Sequence, residues 1–193
     1  MDKYVRSALI THIISISKQF MTKKLFSFLL SAIILFGCTI TVSAQSASSE
    51  SHAYFSPNGG IRDKIIARIN LTKKSINLAI YSFTSGDIAN ALESAKNRGV
   101  KISIIADKSQ STGKSSEINY LISKGFNVKI LKGKGRGIMH NKFAVFDDKE
   151  VVTGSYNWTD NAEYNNYENA IFIMDSSIIN AYKLEFNKLL KYE

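Results

Sequence analysis

The residues of this sequence whose types and spacing could do chemistry together lie between Gly137 and Glu168. His140 and Lys142 stand two residues apart, and Asp147 follows five residues after the lysine. Alternate residues of a strand point to the same face, so His140 and Lys142 are predicted to project together, about 7 Å apart along the chain. Asp147 is an odd number of residues from both, so it is predicted to lean to the other side and support the hairpin, although a direct catalytic role is kept open.

A histidine beside a lysine suits the cleavage of an anionic phosphodiester. The Lys142 ammonium would supply fixed positive charge for the non-bridging oxygens. A neutral His140 imidazole could attack phosphorus and form a covalent intermediate. A second, protonated histidine could then give the leaving oxygen its proton. The predicted chemistry is therefore nucleophilic and acid–base catalysis at phosphorus.

The residues that follow supply further polar groups. Ser155 and Asn157 lie in the next loop and could donate hydrogen bonds to phosphate oxygens. Glu168 opens the strand after that loop and could accept the His140 N–H, which would fix the tautomer that attacks. The sequence has no His, Cys and carboxylate cluster at metal-ligand spacing, so no metal site is expected.

The mechanism needs two histidines, and the predicted domain has one. His12 and His52 lie upstream of it. The second histidine would then come from another chain, and the economical arrangement is a twofold homodimer with both copies of His140 at the axis.

The pattern His-x-Lys-x-x-x-x-Asp, followed by Gly-Ser-x-Asn and then Glu, resembles the HKD motif of the phospholipase D superfamily. The single copy resembles the small bacterial, single-motif branch, whose members include endonuclease-like and phospholipase D-like proteins. The resemblance covers residues 53–192, including Tyr81-Ser82-Phe83-Thr84, with Thr159 also in step.

The resemblance implies a role for each matching residue. His140 would be the nucleophile that becomes phosphohistidine, and its copy in the partner chain would be the acid. Lys142 and Asn157 would bind phosphate with Ser155 near them, and Glu168 would orient the histidine. The resemblance also implies catalysis without a metal or any other cofactor.

The elements that must position these residues alternate along the chain. Hydrophobic periodicity predicts strands at 53–55, 75–83, 100–106 and 126–131, separated by helices at 61–71, 87–98 and 115–124. Such alternation favours a parallel sheet. Further on, strands 138–146 and 150–154 form a predicted hairpin, residues 155–167 a loop, 168–174 a strand and 176–192 a closing amphipathic helix. The predicted fold class is α/β, a mixed, largely parallel β-sheet flanked by helices, which matches the α-β-α sandwich of the family.

The N-terminal segment has the order of a secretory signal. Lys23 and Lys24 precede the apolar run 25–37, and the small residues Val42-Ser43-Ala44 follow it. Cleavage is expected after Ala44, with translation starting at Met21 and residues 1–20 as an upstream extension. Residues 45–52 are predicted to be a flexible leader and 53–193 a single catalytic domain, exported to the periplasm or the medium. Two alternatives stay open, namely lipidation at Cys38 and an uncleaved anchor that extends to Val42.

Charge and composition bear on the substrate. The chain has 193 residues, 45% of them hydrophobic, and a net charge of +9. Five of its 25 basic residues and one of its 16 acidic residues lie before residue 45, which leaves +5 on the rest. Lys132, Lys134 and Arg136 alternate with glycines just before the motif and could grip a phosphate backbone. The nearby aromatic residues could pack in the core or stack on a substrate, namely Tyr156, Trp158, Tyr164 and Tyr167.

Three functions are compatible with these residues. The first is a nuclease without strong sequence preference, which the basic charge and the aromatic residues favour. The second is a phospholipase D that removes head groups from glycerophospholipids, which export would suit. The third is a nucleic-acid-binding module without catalysis, and the intact His140 and Lys142 pair argues against it.

Overall fold

The computed structural model describes Ser17, Lys18, Met21 and residues 50–192. Apart from Met21, the predicted signal sequence, its cleavage site and Cys38 lie outside the described residues. The described residues 50–192 lie within one compact unit. None of the helices in the described part of the chain has both the length and the apolar composition needed to cross a bilayer.

A seven-stranded sheet forms the centre of this unit, with the strand order β1-β7-β6-β5-β2-β3-β4. In chain order the strands are β1 (Ser51–Ser56), β2 (Ser75–Ile80), β3 (Lys101–Asp107), β4 (Asn127–Leu131), β5 (Lys142–Phe146), β6 (Glu150–Gly154) and β7 (Glu168–Ile173). The helices are α1 (Ile61–Leu71), α2 (Gly86–Asn97), α3 (Lys108–Ser111), α4 (Glu117–Ser123), α5 (Asp160–Tyr164) and α6 (Ser176–Lys191).

The sheet is mixed and flanked by helices, as predicted, but "largely parallel" is wrong for the strand pairing. Only β2–β3 and β3–β4 pair in parallel. The other four pairs are antiparallel, including β2–β5 at the centre. Only three residues, 147–149, join β5 to β6, and such a tight turn requires an antiparallel pair, because parallel strands need a crossover.

Each face of the sheet has its own hydrophobic core. One core packs Ile61, Ile65, Ile69, Ile88 and Leu92 of α1 and α2 against the sheet residues Leu78, Ala144 and Phe172. The other packs Ile179, Phe186 and Leu189 of α6 against Phe143, Val145 and Val151. Alternation along β5 therefore sends Phe143 and Val145 to one layer and Lys142, Ala144 and Phe146 to the other.

Several element boundaries differ from the predictions. β1 begins at Ser51, so Ser51 and His52 pair with β7 and do not belong to a flexible leader. β5 begins at Lys142, because the backbone N–H of Met139 donates to the Asp107 carboxylate rather than to a neighbouring strand. Two short helices, α3 and α5, were not predicted, since helices of four and five residues are too short to show a hydrophobic period.

Candidate active site

The predicted catalytic residues lie mainly at one end of the sheet. β2 and β6 end there and β5 and β7 begin there, because Ile80 pairs with Lys142 and Gly154 pairs with Ala170. β1 ends at the same edge, where Ser56 pairs with Glu168. Side chains from four connections therefore meet at this edge, which is where ligands of open α/β sheets commonly bind.

His140 and Lys142 approach the same neighbour, Tyr81. The rings of Tyr81 and His140 are 4.5 Å apart between centroids, at an interplanar angle of 62°. The Lys142 ammonium nitrogen lies 4.9 Å from the centroid of the Tyr81 ring. The two side chains are thus on one side of the chain, although His140 precedes the strand and is not part of it.

Lys142 is an unusual lysine because it is buried, with 9% of its surface exposed. Its Nζ donates a hydrogen bond to the His140 carbonyl oxygen at 3.0 Å. In the described part of the chain, no carboxylate forms an ion pair with it. Burial lowers the pKa of Lys142, and the charge of Glu168 opposes that shift. The ammonium is therefore poorly solvated and oriented by its neighbours.

Glu168 is held beside this lysine by polar contacts of its own. Its carboxylate accepts hydrogen bonds from the Ser155 hydroxyl and from the Asn166 amide, the latter at 2.9 Å. It makes no hydrogen bond with His140 in the described residues, so the predicted Glu168–His140 contact is not formed within one chain. The negative charge of Glu168 acts on Lys142 instead and partly offsets the lowering of its pKa by burial.

The Gly-Ser-x-Asn segment has a steric and a hydrogen-bonding reason for its residues. A Cβ at Gly154 would lie 2.1 Å from the Asn169 carbonyl oxygen, so only glycine fits there. Ser155 follows, exposed, with its backbone N–H on the same carbonyl oxygen at 3.1 Å. The Asn157 side-chain oxygen accepts the Ser82 N–H at 3.3 Å and so ties this loop to the residue after Tyr81.

Asp147 is not brought together with the other predicted site residues. It lies beyond the far end of β5, where its carboxylate accepts backbone N–H groups of Lys73, Lys74 and Ser75 at 2.9, 2.7 and 3.0 Å. Burial alone would raise the pKa of Asp147, but these three hydrogen bonds outweigh it and lower the pKa. The geometry supports the bracing role and not the catalytic one.

The aromatic residues near the site divide into two groups. Tyr156 and Trp158 are 3% and 2% exposed and pack in the core, so they cannot stack on a substrate. The Tyr164 ring lies under the Arg62 guanidinium at 4.9 Å. Tyr164 is 54% exposed and Tyr167, next to Glu168, is 93% exposed, so Tyr167 is the most accessible of the four to a substrate.

His140 also lines a groove in the surface. The loop of residues 132–137 contributes Lys132 and Lys134 to its lining. The apolar part of the lining consists of Leu131, Ile138, Met139, Leu189 and Tyr192. None of the described residues that line this groove is acidic. The groove therefore offers positive charge and apolar contact next to the candidate nucleophile.

The sequence did not predict a role for two residues of the site, Tyr81 and Asp107. Tyr81 lies in a segment that the family resemblance includes, but an aromatic residue after a strand carries no chemical signal of its own. Asp107 is 1% exposed and accepts the Met139 N–H at 2.8 Å, one residue before the histidine. Its signal was an Asp at the end of a strand, a residue type that is typical of a helix N-cap.

No group of three or more His, Cys, Asp or Glu side chains in the described residues lies close enough to hold a metal ion. His52 stands at the start of β1, whereas the site lies at the end of that strand, about 13 Å further along. His140 therefore has no histidine neighbour within the described part of its own chain.

Comparisons with known proteins identify the family of this chain. A family model described as "Cardiolipin synthase, PLD-like domain" matches residues 65–190. The chain is 34% identical over 126 residues to the mitochondrial cardiolipin hydrolase of Xenopus laevis, which covers 65% of this chain and only 59% of that protein. It is 34% identical over 139 residues to a phospholipase D of Rickettsia conorii, covering 72% of this chain and 68% of that one. The solved structure of Nuc, a phospholipase D family member from Salmonella typhimurium, superposes with a TM-score of 0.67 at 31% identity, covering 73% of this chain and 93% of that chain.

Proposed function

Because this chain belongs to the PLD-like domain family, we propose that it hydrolyses phosphodiester bonds through a phosphohistidine intermediate on His140. The observation that carries the proposal is the convergence of the His140 ring and the buried Lys142 ammonium on one tyrosine at the end of the sheet. A nucleophile and a desolvated cation side by side can attack and neutralise the same phosphoryl group.

The first step forms a bond between a His140 ring nitrogen and phosphorus and breaks the bond from phosphorus to the leaving oxygen. Lys142 neutralises the charge that builds on the non-bridging oxygens. Ser155 and Asn157 are the next donors along the chain and would complete the phosphate site. Water then attacks phosphorus and gives its proton to the imidazole that protonated the leaving oxygen, the P–N bond breaks, and the His140 imidazole is regenerated.

The leaving oxygen needs a proton, and we propose that the partner subunit's His140 donates it. His140 is exposed at the surface, and His52 is at the opposite end of its strand. A twofold homodimer would bring the two imidazoles together across the axis. Sedimentation of the protein would test this, and a fully active monomer would contradict it.

Nucleic acid is the substrate that the surface favours. Lys132 and Lys134 line the groove beside His140, and Tyr167 presents an exposed ring beside Glu168. Basic side chains bind the phosphates of a strand, and exposed aromatic rings stack on its bases. We propose a nuclease without strong sequence preference that needs no metal.

Phospholipid head groups are the second candidate, because the floor of the same groove is apolar. The deciding experiment assays the purified protein side by side on plasmid DNA, RNA and phosphatidylcholine vesicles, with and without EDTA. Cleavage of nucleic acid that survives EDTA and falls steeply between about 50 and 200 mM salt would support the nuclease. Release of choline without cleavage of nucleic acid would instead support the phospholipase D. Activity that depends on a divalent ion would contradict both functions.

Export by a cleaved signal sequence is a further proposal, and it rests on residues 23–44 of the sequence. N-terminal sequencing of the mature protein tests it. A first residue of Gln45 would agree with it, whereas lipid attached to Cys38 or an intact apolar segment would favour one of the two alternatives.

A further inference from the structure

The His140 ring packs against the ring of Tyr81, and it forms no hydrogen bond with any of the described residues. Among the described residues, the Lys142 ammonium donates its hydrogen bond to the His140 carbonyl oxygen, so that contact orients the lysine and does not hold the imidazole ring. An exposed imidazole that turns away from phosphorus does not attack, because a nucleophile must be held close to its target orientation. The orientation of the nucleophile therefore depends on what fixes Tyr81.

Tyr81 is fixed at its hydroxyl. Gln110, on α3, donates a hydrogen bond from its side-chain nitrogen to the Tyr81 oxygen at 3.2 Å. α3 is in turn capped by Asp107, whose Oδ1 accepts the backbone N–H groups of Ser109 and Gln110 at 2.8 and 3.2 Å. The phenol is thus anchored to a helix whose first turn is held by a buried carboxylate.

The same carboxylate holds the histidine from behind. The second oxygen of Asp107, Oδ2, accepts the Met139 N–H at 2.8 Å. One buried side chain therefore supports both the backbone that carries His140 and the helix that anchors the ring packed against His140. If α3 moved relative to the backbone at Met139, the hydrogen bonds of the buried Asp107 carboxylate would be strained, and such bonds are costly to break.

From these contacts we propose that Tyr81, anchored by Gln110 and supported through Asp107, is a positioning residue that holds the His140 imidazole in its reactive orientation beside Lys142. The proposal rests on the function proposed above. It assigns no chemical step to Tyr81, which acts only through the two side chains that its ring contacts.

The test combines Tyr81→Phe, Gln110→Ala and their double variant, with bis(p-nitrophenyl) phosphate as a small diester that does not use the groove. Each single change removes one hydrogen bond, so we expect kcat to fall about three- to tenfold with KM within about twofold. The double variant should be no worse than either single one, because both remove the same contact. Tyr81→Leu, which also removes the ring, should lower kcat by about 10- to 100-fold.

Tyr120→Phe is the matched control. It removes another tyrosine hydroxyl bonded to a side chain, Glu93 on α2, away from the site. It should leave kcat within about twofold. Equal losses in this control, strictly additive losses in the double variant, or a Tyr81→Leu variant with unchanged kcat would each overturn the proposal.

An NMR measurement separates this proposal from the proposed function. The C–H resonances of the His140 ring, assigned with His140→Ala, should shift in Tyr81→Phe and Gln110→Ala but not in Tyr120→Phe. These shifts are expected whether or not the protein cleaves a diester. Unmoved resonances would contradict the positioning role, whereas shifted resonances in a protein that cleaves nothing would contradict only the phosphodiesterase.

Discussion

The two ends of β5 carry the two halves of one sequence motif, and the charged residues at these ends differ in how fully they are hydrogen-bonded. At the far end, the Asp147 carboxylate accepts three backbone hydrogen bonds, and its pKa is lowered despite burial. At the near end, Lys142 is buried, bonds one carbonyl oxygen, and has a pKa lowered by burial. A satisfied charge stabilises the fold, whereas a poorly satisfied one can act on a ligand. Proximity in sequence therefore does not imply a shared role.

The largest expected effect is at the near end. His140→Ala should lower diester cleavage at least about a thousandfold, because it removes the proposed nucleophile, while the melting temperature stays unchanged. His52→Ala, at the opposite end of the sheet, is the matched control and should keep full activity. A turnover assay with thermal denaturation checks both, and an active His140→Ala protein would contradict the mechanism.

Lys142→Met should lower kcat by about 100- to 1,000-fold, since the charge that faces the phosphoryl oxygens is gone. Its free energy of unfolding should stay the same or rise, because a buried cation without a carboxylate partner is replaced by an apolar chain of similar length. Lys149→Met, in the turn that follows β5, removes an exposed lysine away from the site and should leave kcat unchanged. A strongly destabilised Lys142→Met protein would show that Lys142 stabilises the fold as Asp147 does, which would contradict the proposed difference between the two ends of β5.

Asp147→Asn should show the reverse pattern. It should cost about 1–2 kcal/mol of unfolding free energy, through weaker hydrogen bonds to the three N–H groups, with kcat of the folded protein within about twofold. Asp148→Asn is matched in backbone conformation, with φ of 58° against 53°, and bears only an exposed ion pair with Lys183. Urea titrations compare the two, and equal losses would contradict the bracing role of Asp147.

The stability that Asp147 contributes should also depend on pH in a defined direction. The pKa of its carboxyl is lower in the folded protein than the ordinary value of 3.8, so its stabilisation is complete well above pH 3.8. It should be lost as the pH falls through the lowered pKa. Urea titrations of the wild type and Asp147→Asn over an acid series measure this, and a difference that grows on acidification would contradict it.

The smallest expected effect concerns the pH dependence of activity. Lys142 must be protonated to bind phosphate, so activity should fall on the alkaline side below its ordinary pKa of 10.5. Glu168→Gln removes the charge that raises the pKa of Lys142, so this decline should move to lower pH. Glu185→Gln, on α6, is the control. A decline that stays in place would show that Glu168 does not act on Lys142.

Long elements and local motifs could be predicted from the sequence, because buried strands and amphipathic helices have a clear period. The hairpin at Asp147-Asp148 followed from local turn chemistry. The place of β1 could not, since it pairs with β7 more than a hundred residues later. The contact of Tyr81 with His140 and that of Asp107 with Met139 were missed for a similar reason, because each joins segments that lie far apart in the chain.

The burial of Lys142 bears on how widely this site can choose among substrates. An ammonium that is largely buried and has no carboxylate ion-pair partner among residues 50–192 favours any oxyanion that reaches it, whatever alcohols that anion esterifies. Discrimination at the centre would thus be by ionic state, accepting diesters and refusing uncharged triesters. Discrimination between one diester and another would fall to the surroundings, so changes in the loop of residues 132–137 could retune preference without touching the catalytic pair.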